Sequence, residues 1–230
     1  MLGGLIEVKG TRMEKIYLAI EGPIGVGKTT LARLIQPYFK AKLLLEVFEE
    51  NPFLSRFYQD RERYAFQTQL FFLLSRYHQQ VQVIPKLLSE ANLISDYTFV
   101  KDRLFAHLNL HGDELKLYEQ LYQILAQRIA TPNLIVLLQA STDVLMERIA
   151  FRDRPYERNM DRDYINQVRL AYDEFFNHYE EAPVLRIETD ELKFVHNPED
   201  LNYVVNLIRA ALEEGVSYTL PLFHLGGKGG

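Results

Sequence analysis

Short apolar runs alternate with longer amphipathic stretches along this chain. Residues 16–20, Ile-Tyr-Leu-Ala-Ile, form the first run and predict a buried strand over 16–21. Similar runs predict strands over 42–46, 92–96, 133–139 and 184–187. Between them apolar residues recur at helical spacing, which predicts helices over 28–39, about 63–88, 102–110, 113–130, 141–151, 161–179 and 198–213. The stretch 161–179 carries Tyr164, Val168, Ala171, Tyr172 and Phe175 on one stripe. Pro85 is expected to kink or end its helix, because it lacks an N–H and its ring crowds the carbonyl one turn back. Strands alternating with helices imply an α/β fold, a five-stranded parallel sheet with helices on both faces and right-handed crossovers. Ligands of such sheets lie beyond the carboxyl ends of the strands.

The segment after the first strand places chemistry on that rim. Residues 22–29 read Gly-Pro-Ile-Gly-Val-Gly-Lys-Thr, a full match to the phosphate-binding pattern G-x-x-x-x-G-K-[ST]. A strand precedes it and a helix follows it, as the chemistry requires. Residues Gly22, Pro23, Ile24, Gly25, Val26, Gly27, Lys28, Thr29 and Thr30 define a cradle whose backbone N–H groups, Pro23 having none, converge on phosphate oxygens, and the helix N-terminus adds partial positive charge. Lys28 can reach the outer phosphates, and the Thr29 hydroxyl can hold Mg²⁺. The alternative is a chance glycine turn; the complete match and its flanks weigh against it. The expected ligand is a nucleoside triphosphate, and the fold class is a three-layer phosphate-loop architecture.

Other polar residues cluster around the same rim. Glu46 ends the second strand after Leu43-Leu44-Leu45, where a carboxylate could accept the proton of an attacking hydroxyl. A solvated strand-end glutamate is an equal alternative, and Glu49 and Glu50 keep the choice among the three open on chemistry alone. Asp96 ends the third strand and suits Mg²⁺, directly or through water, with a helix-capping role as the alternative. Gln69 and Arg76 lie two turns apart on one helix face, with Phe66 and Phe72 or Leu73 nearby. A glutamine amide matches a nucleobase edge and the aromatics can stack, but on these residues alone a solvated polar stripe is the better reading. Arg148, Arg152, Arg154 and Arg158 surround Pro155 and form an arginine-dense segment, a lid over about 152–160 that would close on phosphates. Its alternative is a charged helix end paired with Glu147 and Asp153. The six histidines show no ligand spacing.

The totals narrow the class. The chain has 230 residues, 47% of them hydrophobic and 25% charged, which fits a single soluble domain. A net charge of −5 argues against nucleic acid as a partner. There is no cysteine, so disulfides and thiolate metal sites are excluded. No apolar stretch is long enough to span a membrane, and the first residues lack signal-peptide character, so a cytoplasmic location is expected. Residues 1–12 are expected to form a flexible extension and 215–230 a tail, within which Leu220 to Leu225 could dock on the body or on a second subunit.

Taken in order, these motifs resemble the deoxynucleoside kinase family, and within it the bacterial deoxyadenosine/deoxyguanosine kinase branch, from about Lys15 to Phe194. After Glu46 come Asn51-Pro-Phe-Leu-Ser-Arg-Phe-Tyr58 and Tyr64-Ala-Phe-Gln-Thr-Gln69-Leu-Phe-Phe-Leu-Leu-Ser-Arg76, then Arg148, Arg152, Arg154 and Glu157 in the pattern R-x-x-x-R-x-R-x-x-E. The resemblance implies a kinase domain over 13–214 that uses ATP and Mg²⁺ to phosphorylate the 5′-hydroxyl of a deoxynucleoside, deoxyadenosine first and deoxyguanosine next. It implies Glu46 as the catalytic carboxylate and Gln69 as the reader of the base. Asp102 works with Arg76, and Phe105 stacks on the base. Tyr58 and Glu157 hold the sugar 3′-hydroxyl, and the loop from Glu188 through Asp190 to Phe194 receives the adenine of ATP. It also implies a homodimer, with the helices around 68–88 and 113–130 as the interface. One departure stands out. Many relatives carry [DE]-R-[SH] after the third strand, whereas this chain reads Asp96-Tyr97-Thr98, so Lys101 or a lid arginine takes the missing place. Two rival readings are a thymidylate-like nucleoside monophosphate kinase and a non-enzymatic nucleotide switch. The first wants a cation for the acceptor phosphate. A guanine-specific switch would usually show N-K-x-D, and no Asn-Lys pair occurs.

Overall fold

The computed structural model describes residues 15–214 and 218–219. In chain order the regular elements are β1 (Tyr17–Glu21), α1 (Lys28–Phe39), β2 (Ala41–Leu44), α2 (Leu54–Gln59), α3 (Arg61–His78), α4 (Ile84–Glu90), β3 (Asn92–Ser95), α5 (Val100–Asn109) and α6 (Gly112–Ala126). They continue as β4 (Leu134–Gln139), α7 (Thr142–Arg152), α8 (Arg162–Asn177), β5 (Val184–Glu188), α9 (Pro198–Glu214) and β6 (Tyr218–Thr219). The strands run parallel in the order β2-β3-β1-β4-β5-β6. The five strands expected from the apolar runs are all present. The sixth, only two residues long, is too short to leave a periodic signal and falls where a tail was expected. The rest of that tail, Leu220 to Leu225 included, and the 1–12 extension lie outside the described residues.

Strand periodicity explains the layering. Tyr17 and Ala19 of β1, with Ile135 and Leu137 of β4, face a core closed by α2 to α6 and α8. Leu18 and Ile20, with Leu134, Val136 and Leu138, face a second core closed by α1, α7 and α9. Both faces of the sheet are covered, so its strands are apolar on successive residues rather than on alternate ones. β1 lies between β3 and β4, and the chain departs in opposite directions on its two sides, which opens a crevice at its carboxyl end.

The helix predicted over about 63–88 is divided. α3 runs into a π-helical turn, Gln79–Val83, and α4 restarts with Pro85 in its first turn. Proline cannot donate to the carbonyl one turn back, and the wider turn absorbs that loss without ending the helix. The short helix α2 was not foreseen, because six residues carry little periodicity. β2 stops at Leu44, two residues earlier than expected, which leaves Glu46 in a loop.

The end of β1 is braced from within. Glu21 is fully buried, and its carboxylate accepts from Thr98 N (2.5 Å), Thr98 Oγ1 (2.8 Å), Tyr172 OH (3.1 Å) and Gly22 N (3.3 Å). The glycines beyond it answer to sterics. Gly22 has φ +140°, and a Cβ there would run into the Leu138 carbonyl oxygen. Gly25 has φ +90°, and its Cβ would lie 2.8 Å from Ile149 Cγ1 and 2.9 Å from Leu145 O. Neither backbone carbonyl can yield. Gly22→Ala is therefore expected to lower the unfolding free energy by about 3 kcal/mol in urea denaturation and to weaken triphosphate binding. An unchanged midpoint would mean that the loop relaxes freely around the added methyl.

Candidate active site

The phosphate loop curls over the carboxyl end of β1 and opens α1, with Gly27 in a left-handed conformation at the helix cap. Lys28 folds back, its ammonium donating to Gly22 O (2.7 Å) and Pro23 O (3.1 Å). Burial first, then the nearby charge of Lys101, lowers its pKa to about 8, with Glu21, Glu46 and Asp96 pulling the other way. Thr29 Oγ1 donates to Asp96 Oδ2, and Asp96 Oδ1 accepts from Glu46 N at 2.7 Å. Asp96 thus ties the start of α1 to the loop after β2.

Around Glu46 lies a buried charge cluster. Arg76 of α3 donates to Glu46 Oε1 from Nε (3.0 Å) and from Nη2, and to Asp102 Oδ1 from Nη1. Lys101 of α5 donates to Glu46 Oε2 at 2.6 Å. Burial acts to raise the Glu46 pKa, but Arg76 and Lys101 outweigh it and hold the carboxyl well below the usual carboxylate range. Burial also opposes the charge on Arg76, and Asp102 and Glu46 more than compensate. Asp102 is fully buried. Burial raises its pKa to about 7, against the pull of Arg76 and with Glu46 adding to the rise.

One cleft gathers these groups. Lys28, Thr29, Glu46, Tyr58, Gln69, Arg76, Asp96, Phe105, Arg152, Arg154 and Glu157 line it, together with the loop residues Ile24 and Gly25. Gln69 Oε1 and Thr68 Oγ1 are buried and have no hydrogen-bond partner among the described residues. The lid segment closes one side. Arg152 forms a two-pronged pair with Glu157 (2.6 Å for each contact), and Arg154 sits 4.1 Å above the ring of Phe48. Tyr58 and Tyr156 stack at 6.0 Å with an interplanar angle of 7°.

Of the phosphate loop, Gly22, Pro23, Val26, Gly27 and Thr30 do not line this cleft, and four expected residues from other segments stand apart from it as well. Phe66 and Phe72 both pack, partly buried, against the core, and of the two Phe72 lines the cleft. Asp102 lies behind Arg76 rather than on the cleft wall. Arg148 donates to Val26 O (3.2 Å), Thr189 Oγ1 (2.9 Å) and Thr189 O (2.6 Å), clamping the phosphate loop to the loop after β5. Asp190, in that loop, accepts from Ser141 N at 2.8 Å. Six cleft residues have no site role assigned from the sequence: Phe48, Leu54, Phe57, Thr68, Tyr156 and Tyr164. They come from five separate segments. Glu21 could have been found, since it ends a buried strand just as Glu46 and Asp96 follow theirs.

A family profile described as deoxynucleoside kinase matches residues 18–213. The chain belongs to the deoxynucleoside kinase family. It is therefore an enzyme that transfers a phosphoryl group to a deoxynucleoside, and neither rival reading is supported by this likeness. It is 34% identical to a deoxyguanosine kinase of Bacillus subtilis (strain 168) over 193 residues, 82% of this chain and 93% of that one. It is also 34% identical to a deoxyadenosine kinase of Dictyostelium discoideum over 199 residues, 84% of this chain and 79% of that one. The fold is similar to that of a deoxyadenosine kinase from M. mycoides with bound dATP, with a TM-score of 0.70, 21% identity and coverage of 84% and 99%. In this kinase Arg76 joins two acidic side chains of different segments, and its removal leaves both buried without their main counter-charge. Arg76→Met is expected to cost about 3–5 kcal/mol of stability in chemical denaturation. Arg76→Lys should restore only part, because an ammonium lacks the planar fork that spans both carboxylates.

Proposed function

We propose that this kinase transfers the γ-phosphoryl group of ATP to the 5′-hydroxyl of a purine deoxynucleoside, deoxyadenosine first and deoxyguanosine next, in deoxynucleotide salvage. The observation that carries this reading is the convergence, in one cleft, of the phosphate loop, the carboxylate of Glu46, the unpartnered amide oxygen of Gln69 and the lid arginines.

The base lies against α3. The Gln69 amide pairs with a purine edge, its oxygen accepting from the adenine amine or, in guanine, from the N1–H. Gln69 Oε1, a buried acceptor without a donor on the cleft wall, suits the adenine amine. Phe105 stacks on the base. Tyr58 and Glu157 take the 3′-hydroxyl and crowd the 2′ position, which disfavours ribonucleosides. Burial, with Tyr164 and Glu157 adding, raises the Tyr58 pKa well above its ordinary value, so the phenol remains a donor. Glu46 accepts the 5′-hydroxyl proton as the oxygen attacks, while Lys28, Arg152 and Arg154 stabilise charge spreading over the transferred group. Arg148 and Asp190 border the adenine of ATP.

The Thr29 hydroxyl and the Asp96 carboxylate, already in hydrogen-bond contact, are hard oxygen donors that suit Mg²⁺. Among the described residues no cluster of three or more acidic, histidine or cysteine side chains forms a cage, and Thr29 and Asp96 would hold the ion together with phosphates and water. Bound there, Mg²⁺ supplies neutralising charge to the phosphates. A homodimer through α3 and α6 is supported by exposed Leu74 (56%), Leu117 (47%) and Ile124 (63%) on those helices. No helix among the described residues is long and apolar enough to cross a membrane; the proposed enzyme is cytoplasmic and acts without nucleic acid or membrane partners.

Glu46→Gln is expected to lower kcat by about 10²- to 10⁴-fold while ATP binding, followed by calorimetry, changes little. Unaltered turnover would remove Glu46 as the proton acceptor. In a panel of four deoxynucleosides, their ribonucleosides and thymidine monophosphate, the purine deoxynucleosides should turn over fastest. Chelation of Mg²⁺ should abolish the activity and readdition restore it. Turnover confined to the monophosphate would overturn the acceptor assignment.

A further inference from the structure

Glu46 is occupied on both of its oxygens. Oε1 takes two bonds from Arg76, and Oε2 takes one from Lys101 at 2.6 Å. A carboxylate that is to receive a substrate proton must give up one of these donors. Arg76 is held in place: it is bonded to Asp102 as well, and its guanidinium lies 4.6 Å from the Phe72 ring centroid. Among the described residues Lys101 makes a single hydrogen bond, from the end of a flexible four-carbon stem, and its ammonium lies 5.7 Å from the Phe105 ring centroid, beside the cleft. Of the two partners, Lys101 is the one free to move.

Its destination follows from the other cations. Lys28 lines the same cleft and lies within electrostatic reach of Lys101. Two ammonium groups, Lys101 only 8% exposed, thus border one space beside the Glu46 carboxylate. The anion that the phosphate loop delivers to that space is the terminal phosphate. Of the other lining cations, Arg76 is fixed between Glu46 and Asp102, and the lid arginines must first release Glu157 and Phe48 to reach the phosphates, whereas Lys101 already borders that space. Position 97 offers no cation either, since the Tyr97 hydroxyl donates to Gln79.

We propose that Lys101 is a catalytic residue that leaves Glu46 Oε2 for the γ-phosphoryl oxygens when ATP binds. This rests on the phosphoryl-transfer reading above. The move clears Oε2 for the 5′-hydroxyl and brings a second ammonium, opposite Lys28, to the group in flight. In the step that follows, the bond from the 5′-oxygen to the γ-phosphorus forms. The bond from that phosphorus to the β–γ bridging oxygen breaks, and its electron pair leaves with ADP. The hydroxyl proton passes to Glu46.

The test combines variants with a structure of the wild-type enzyme. Lys101→Met is expected to lower kcat about 100-fold, with little change in the KM for the deoxynucleoside or in its binding measured without ATP. Lys101→Arg, which keeps the charge, should recover most of the loss. A kcat unchanged in Lys101→Met, or a loss confined to deoxynucleoside binding, would overturn the proposal. A crystal structure of the wild type with deoxyadenosine and a non-hydrolysable ATP analogue guards against a variant that fails to fold. It should show the Lys101 ammonium on the terminal phosphate; an intact Lys101–Glu46 pair in that complex would overturn the proposal as well. Wild-type inactivity on every deoxynucleoside would instead sink the underlying functional reading, so the two failures are distinguishable.

Discussion

The buried cluster of Glu46, Arg76, Asp102 and Lys101 is the constraint on which the rest of the site depends. Two carboxylates and two cations balance in a region nearly closed to water, where any unpaired member would be costly. The cluster joins the loop after β2 to α3 and α5, three segments far apart in the chain. Because Arg76 bonds to both carboxylates, its planar fork sets their relative position. From Glu46 the constraint passes through its backbone N–H to Asp96, and from Asp96 to Thr29 at the start of α1. Acceptor side and phosphate side are thereby coupled by hydrogen bonds alone.

A second constraint is steric. The phosphate loop passes so close to β4 and α7 that Gly22 and Gly25 have no room for a side chain, and both adopt positive φ. Glu21 fixes the same turn from below, drawing Thr98 and Tyr172 to the end of β1. Arg148 fixes it from the far side by bonding to Val26 and Thr189. The loop is thus held by a carboxylate beneath, a guanidinium behind and packed backbone on either flank, so little reorganisation is needed when phosphates arrive.

The lid relies on weaker ties. Its short 3₁₀ turn, Pro155–Glu157, follows Asp153, which caps α7 in a left-handed conformation with φ 45°. Arg152 and Glu157 neutralise each other, and aromatic contacts join Tyr156 to Tyr58 and Phe48. These contacts are local to the lid and its opposing helix, which suits a segment that opens and closes over a ligand.

What the sequence determined by itself were the features that depend on neighbours in the chain. Five strands, the long helices and the phosphate loop are written in local periodicity and in one contiguous motif, and the parallel α/β class follows from their alternation. The resemblance to relatives then singled out Glu46 among three nearby glutamates and set Gln69 apart from a solvated stripe, which the chemistry of those residues alone could not do. Only the tertiary structure decided which charges meet. The pairing of Lys101 with Glu46, the brace at Glu21, the clamp at Arg148 and the choice of Phe72 over Phe66 at the cleft all join or orient residues whose separation in sequence carries no information about their contact. The physical reason is that local pattern reports the face on which a side chain lies, while the partner that neutralises a buried charge is chosen by how whole elements pack.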